Sequence, residues 1–161
     1  GWQMTPHAFA RHDAVGYRYA SDGRAQLRAD GSLADPKAGP YRYRGLTHIQ
    51  MPTTLPTLDE LLGREIDGTV IDEGNIAAHL LKLTANPQRD HVYTLHAELE
   101  GQKLAPIFEQ LLSGWKAQGY QLASMADYYE KIKASPLPEY PVQWGELPGR
   151  SGELIILDTM K

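Results

Sequence analysis

Apolar positions along this chain recur with two periods. Between residues 103 and 118, Leu104, Ile107, Phe108, Leu111, Leu112 and Trp115 form one stripe at helical spacing. Gly119 is placed to end that helix. Ile76, Leu80, Leu81 and Leu83 predict a second helix within residues 72–84. Thr5-Pro6 combines a hydroxyl cap with a proline at the first helical position, so a short helix runs through about Asp13. Thr57 caps a turn of helix through Leu62, and Ser124-x-x-Asp127 caps one through about Lys133. Elsewhere the period shortens to two. Residues 15–20, 47–54, 91–97 and 120–123 read as strands, and residues 142–147 and 153–157 as a hairpin around Pro148-Gly149-Arg150-Ser151-Gly152.

Strands alternate with helices for most of this length, which predicts an α/β architecture with a largely parallel sheet. Such sheets carry their functional side chains at the carboxyl ends of strands. Asp22 and His96 fall there. Residues 21–46 break the pattern with turn signals at Gly23, Asp30-Gly31, Asp35-Pro36 and Gly39-Pro40, and predict a long excursion.

Composition narrows the classes of function. The 161 residues include sixteen basic and twenty acidic side chains, a net charge of −4 that argues against a nucleic-acid-coating protein. There is no cysteine, which removes disulfide scaffolds, thiolate metal sites and cysteine nucleophiles together. No apolar run approaches the roughly 18 residues of a membrane span.

His96 is the leading candidate for chemistry. It ends a strand and is followed by Glu98 and Glu100, a setting for a general acid or base and equally for a histidine hydrogen-bonded inside a sheet. Asp22 could orient a nearby imidazole or simply form the turn before Gly23. Tyr41-Arg42-Tyr43-Arg44 could hold an anion; a solvated strand face accounts for it more simply. His7 and His12 lie five apart, on different helix faces, and neither His79 nor His91 has a partner at ligand spacing. The chain has no phosphate-binding glycine loop and no nucleophile elbow.

Three stretches carry a resemblance. Gln50-Met51-Pro52-Thr53-Thr54-Leu55-Pro56-Thr57-Leu58-Asp59-Glu60, Tyr93-Thr94-Leu95-His96-Ala97-Glu98-Leu99-Glu100-Gly101 and Gly149-Arg150-Ser151-Gly152 resemble, in that order, the carboxy-terminal half of the NodB-type polysaccharide deacetylase superfamily. Within it they are most similar to the branch that deformylates 4-deoxy-4-formamido-L-arabinose on undecaprenyl phosphate in lipid A modification. Gly1-Trp2, Arg18-Tyr19, Ser21-Asp22 and Arg24 fit the same pattern without a gap.

The resemblance implies the carboxy-terminal part of a distorted (β/α) barrel ending in a β-hairpin. Residues 1–161 would then be a partial domain lacking the amino-terminal metal-binding half. It implies a hydrolase of non-peptide carbon–nitrogen bonds, using a divalent metal, usually zinc, to remove a formyl or acetyl group from a lipid-linked amino sugar. Under it, His96 is the general acid that protonates the leaving amine and Asp22 its orienting carboxylate. Trp2 is a wall of the pocket, and Arg42 and Arg44 contact the substrate phosphate. Gln3, also placed among the substrate-binding residues, stands where the family usually has an arginine. No metal ligand is assigned within this chain, so the chain alone is expected to be inactive. The expected partners are the lipid-linked sugar and, over an open sheet edge, the missing half or a second copy. No nucleic acid is expected. The resembled pathway runs in the bacterial cytoplasm at the inner face of the inner membrane. A non-catalytic sugar-binding remnant is the alternative.

Overall fold

The computed structural model describes residues 2–86 and 89–159; Gly1, part of the resemblance, lies outside them. The helices fall where the periodicity and caps place them. α1 (Pro6–His12) starts at Thr5, whose hydroxyl accepts the Ala8 amide at 3.3 Å. α2 (Leu58–Leu61) starts at Thr57, whose amide donates to the Glu60 carboxylate at 3.0 Å. α3 (Ile76–Leu83) and α4 (Ala105–Ala117) follow, with a π-type turn at Leu99–Lys103 between them. α5 (Met125–Ile132) begins at Ser124, whose hydroxyl accepts the Asp127 amide at 3.1 Å. The predicted stripe of α4 is the buried one: Leu104, Ile107, Leu111 and Trp115 pack with Leu58, Leu61, Ile76 and Leu80 into the largest apolar core.

The strands are shorter than alternation suggests. β1 (Tyr19–Ala20) pairs in parallel with β4 (Ile49–Gln50), Tyr19 opposite Ile49. β2 (Arg24–Ala25) pairs in parallel with β9 (Leu154–Leu157), and β9 pairs antiparallel with β8 (Gln143–Gly145). β3 (Arg42–Tyr43) pairs in parallel with β7 (Glu139–Tyr140). β5 (Glu65–Ile66) and β6 (Thr69–Val70) form an antiparallel hairpin. The architecture is therefore mixed α/β with small sheets, and the described residues do not close a barrel.

Three expectations need correction, and one element was not anticipated. Residues 15–18 are not strand: Gly16 turns through a φ of +77°, leaving Val15 and Tyr17 mostly exposed. Residues 91–97 and 120–123 form no assigned strand, although the Val92 carbonyl accepts the Thr54 amide at 3.0 Å. The β5–β6 hairpin was not anticipated; its turn is Asp67-Gly68, both at positive φ, a favoured two-residue connection. Residues 21–46 are not a free excursion. They hold β2 and β3, and Tyr41 and Tyr43 are buried in a core with Phe9, Ala25, Ile155 and Leu157. Burial is tolerable because the Tyr41 hydroxyl donates to that of Tyr43 at 2.7 Å, so each phenol oxygen has a hydrogen-bond partner.

One consequence positions the site. The segment 19–25 lies beside 49–54, with a further parallel bridge between Arg24 and Thr53. Segment 49–54 lies beside 92–94, tied by a 2.7 Å hydroxyl contact between Thr53 and Thr94. The downstream ends of these three extended segments lead to Arg24, to α2 and to His96.

Candidate active site

Three consecutive features of the 57–60 turn organise the neighbourhood of His96. Thr57 donates its hydroxyl to the Asp59 carboxylate at 2.6 Å, while Asp59 faces outward and Glu60 inward. Glu60 is fully buried, and so is Arg24, which meets it with two hydrogen bonds of 2.5 and 2.8 Å. Arg150 adds a third, from Nε, at 2.7 Å. Burial alone would push the Glu60 carboxyl up. The hydrogen bonds and charge of Arg24, with hydrogen bonds from Arg150 and the Thr57 amide, outweigh it and hold Glu60 below the usual carboxylate range. Trp2 covers both guanidiniums: the Arg24 carbon lies 4.1 Å and that of Arg150 5.3 Å from its ring centre.

Arg150 reaches this place because the loop after β8 lies flat against the start of α2. Gly149 has a φ of +86°, and a Cβ there would stand 2.5 Å from the Glu60 carbonyl oxygen. Only glycine allows that approach. From there Arg150 pairs with Asp59 through Nη1 at 3.0 Å and donates to Thr57 Oγ1 at 3.2 Å.

His96 stands on the other side of Asp59. Its Nδ1 is 3.7 Å from Asp59 Oδ1 and has no hydrogen-bond partner, although that atom is buried. The backbone of His96 is fixed independently: its amide donates to Glu100 at 2.8 Å, and the Tyr93 hydroxyl donates to the other Glu100 oxygen at 2.7 Å. Burial, then the bond to Glu100, push the Tyr93 phenol far up. Of the two acids that follow His96, Glu100 thus secures the main chain and Glu98 is exposed.

Asp22 belongs to a second buried cluster. Its amide donates to the Gln50 side chain at 3.1 Å, its carboxylate accepts from Gln50 Nε2 at 3.3 Å, and it lies 3.6 Å from His12 Nδ1. His12 Nδ1 is 3.3 Å from His48 Nε2, which also contacts Gln50 at 3.1 Å; His48 Nδ1 meets Asp13 at 2.9 Å. Burial pushes the His12 imidazole down, more than Asp22 raises it. Asp13, despite some burial, is held down to about 2 by hydrogen bonds from His48 and Thr47.

The remaining site expectations separate. Trp2 is half-buried at the arginine pair. Gln3 is exposed, its amide facing the loop at Gly152. Arg42 donates to the Thr47 carbonyl at 3.1 Å, and Arg44 is exposed beyond β3. The described contacts thus place Asp22 with His12 and Gln50, and His96 with Asp59. Sequence reasoning assigned no role to Asp59, Glu60, Arg150 or His48. The Thr57-x-x-Glu60 capping signal was visible, but it announces a helix start, not an ion pair.

Among the described residues, no group of three or more His, Asp or Glu side chains is arranged to hold a metal ion. His12 and His48 already spend facing ring nitrogens on each other. The described residues therefore do not form a site for the divalent cation that the resemblance implies. Among the described residues no helix is long and apolar enough to cross a membrane.

No family model matches the chain. The chain is 34% identical over 155 residues to the probable 4-deoxy-4-formamido-L-arabinose-phosphoundecaprenol deformylase ArnD of Shewanella sediminis (strain HAW-EB3), an alignment covering 96% of this chain and 45% of that protein. The similarity takes in nearly every residue described above. It is 29% identical over 153 residues to the protein of the same name from Wigglesworthia glossinidia brevipalpis, covering 94% of the chain and 49% of the relative. The chain spans about half the length of the curated relatives it matches.

Proposed function

We propose that residues 1–161 are the carboxy-terminal part of an amidohydrolase that removes the formyl group from a lipid-linked 4-formamido sugar. The observation that carries this reading is the near end-to-end similarity to proteins named as deformylases of that substrate. The reading places the chain in the NodB-type superfamily and its sheets in one wall of a distorted (β/α) barrel. The reaction adds water across the amide: the carbon–nitrogen bond breaks, formate leaves, and the amine nitrogen takes up a proton. His96 delivers that proton. Its backbone is anchored by Glu100, its ring is partly exposed, and an imidazole nitrogen can both carry and release a proton. Trp2 walls the pocket, while Arg42 and Arg44 are assigned to the substrate phosphate. The divalent cation belongs to residues outside this chain, and the reaction takes place in the bacterial cytoplasm at the membrane face.

Formate release tests the reading. The chain alone is expected to release none from the formamido-arabinose lipid. The chain assembled with the amino-terminal half of the Shewanella relative is expected to turn it over. His96→Ala in that assembly should then lower turnover by about 100-fold or more. A second reading is favoured by Gln3, which cannot supply the charge or the two-pronged grip of an arginine. A folded assembly that binds the sugar lipid yet releases no formate would establish a sugar-binding module instead.

A further inference from the structure

We infer that Asp59, clamped by Arg150, is the carboxylate that orients the His96 ring. This rests on the reading of His96 as the proton donor, and it assigns to Asp59 the role that motif position gives to Asp22. His96 Nδ1 is buried with no hydrogen-bond partner, and Asp59 Oδ1 at 3.7 Å is the carboxylate oxygen that faces it. A gap of that size is too long for a hydrogen bond. Hydrogen bonds within catalytic sites are often long until substrate is bound.

Asp59 is built to stay where it is. Thr57 donates to Oδ1, Arg150 Nη2 reaches the same oxygen at 3.3 Å, and Arg150 Nη1 holds Oδ2 at 3.0 Å. Arg150 is itself locked by Glu60, and Glu60 by the buried Arg24. A line of paired charges thus runs from the core under Trp2 to the imidazole. The carboxylate fixes the proton on Nδ1, and Nε2 is left to exchange a proton with the leaving amine. The other acids nearby do not compete for the ring: Glu100 is spent on the His96 amide and the Tyr93 hydroxyl, and Glu98 is exposed. Asp22 is held by Gln50 and lies against His12.

Nitrogen NMR of the His96 ring in this chain at alkaline pH tests the assignment without requiring turnover. The unaltered chain is expected to hold His96 predominantly as the Nδ1–H tautomer. Asp59→Asn, isosteric and still able to accept from Thr57, should shift the ring by several-fold toward Nε2–H, with an amide spectrum that stays folded. Asp22→Asn should leave the ring as it is. An unchanged tautomer in Asp59→Asn, or a shift in Asp22→Asn as large or larger, overturns the inference. Should Asp59→Asn lose its fold, Arg150→Lys provides the second reading: it should loosen Asp59 and shift the tautomer in the same direction, and no shift there counts against the inference. The outcome does not depend on formate release, so the inference and the deformylase reading fail separately.

Discussion

The two buried polar clusters solve the same problem differently. Around Glu60, opposite formal charges are paired: two guanidiniums converge on one carboxylate, and Arg24 and Glu60 are both without exposed side-chain surface. Around His48, the pairing depends on protonation. His12, His48 and Gln50 meet through side-chain nitrogen contacts of 3.1–3.3 Å, with Asp13 and Asp22 at the margins. The first cluster keeps its character over a wide range of pH. The second is sensitive to acid, because burial works against a charge on His12. The first cluster reaches His96 through Arg150 and Asp59, and the second joins the end of α1 to β4.

Three changes sharpen this contrast. The largest effect is expected from Glu60→Ala, which strands the Arg24 charge in the core. Loss of one partner of a buried pair costs about 3–5 kcal/mol, against which a urea denaturation series can be read. A loss below about 1 kcal/mol would mean that water or Leu55, whose carbonyl already accepts from Arg24 at 3.3 Å, takes over the charge.

The next effect is acid. His12 is lowered from 6.5 in the fold, so between its folded value and 6.5 the unfolded chain binds more protons. Its contribution is therefore full above 6.5 and lost as the pH falls below it. Asp13 is lowered from 3.8 to about 2, so its share persists above 3.8 and is lost as the pH falls from there toward 2, a loss of about 2 kcal/mol. Glu60 is also lowered, from 4.5, and stays charged until the pH drops beneath that. Hydrogen exchange should therefore show α1 and β4 loosening as the pH falls from 6.5 to 5, while α2 keeps its protection. Simultaneous loosening of both would remove the distinction between the clusters.

The smallest effect separates geometry from conformation. Gly119→Ala and Gly149→Ala both place a side chain at positive φ, but only at Gly149 does the new Cβ run into the Glu60 backbone. Each carries the conformational cost, about 1 kcal/mol. Gly149→Ala should lose roughly 1–2 kcal/mol more in thermal denaturation and weaken the grip of Arg150 on Asp59. Equal losses would show that the 148–152 loop is free to shift.

Sequence by itself determined what depends on neighbours within a turn or two of helix. The stripe from Leu104 to Trp115, the caps at Thr5, Thr57 and Ser124 and the turn at Gly149 need only local spacing, and these elements stand where the pattern puts them. The same spacing misjudged residues 91–97, because alternation describes a strand's side chains, whereas the contacts with segment 49–54, such as the Thr54 amide to the Val92 carbonyl, do not make a regular ladder. It also took Tyr41 and Tyr43 for a solvated face, since nothing local reveals that each hydroxyl has the other as its partner. Tertiary structure alone decided the candidate site. Asp59 and Arg150 lie 91 positions apart and His12 and His48 lie 36 apart, and a buried charge or imidazole is tolerated only where a distant segment brings its counterpart.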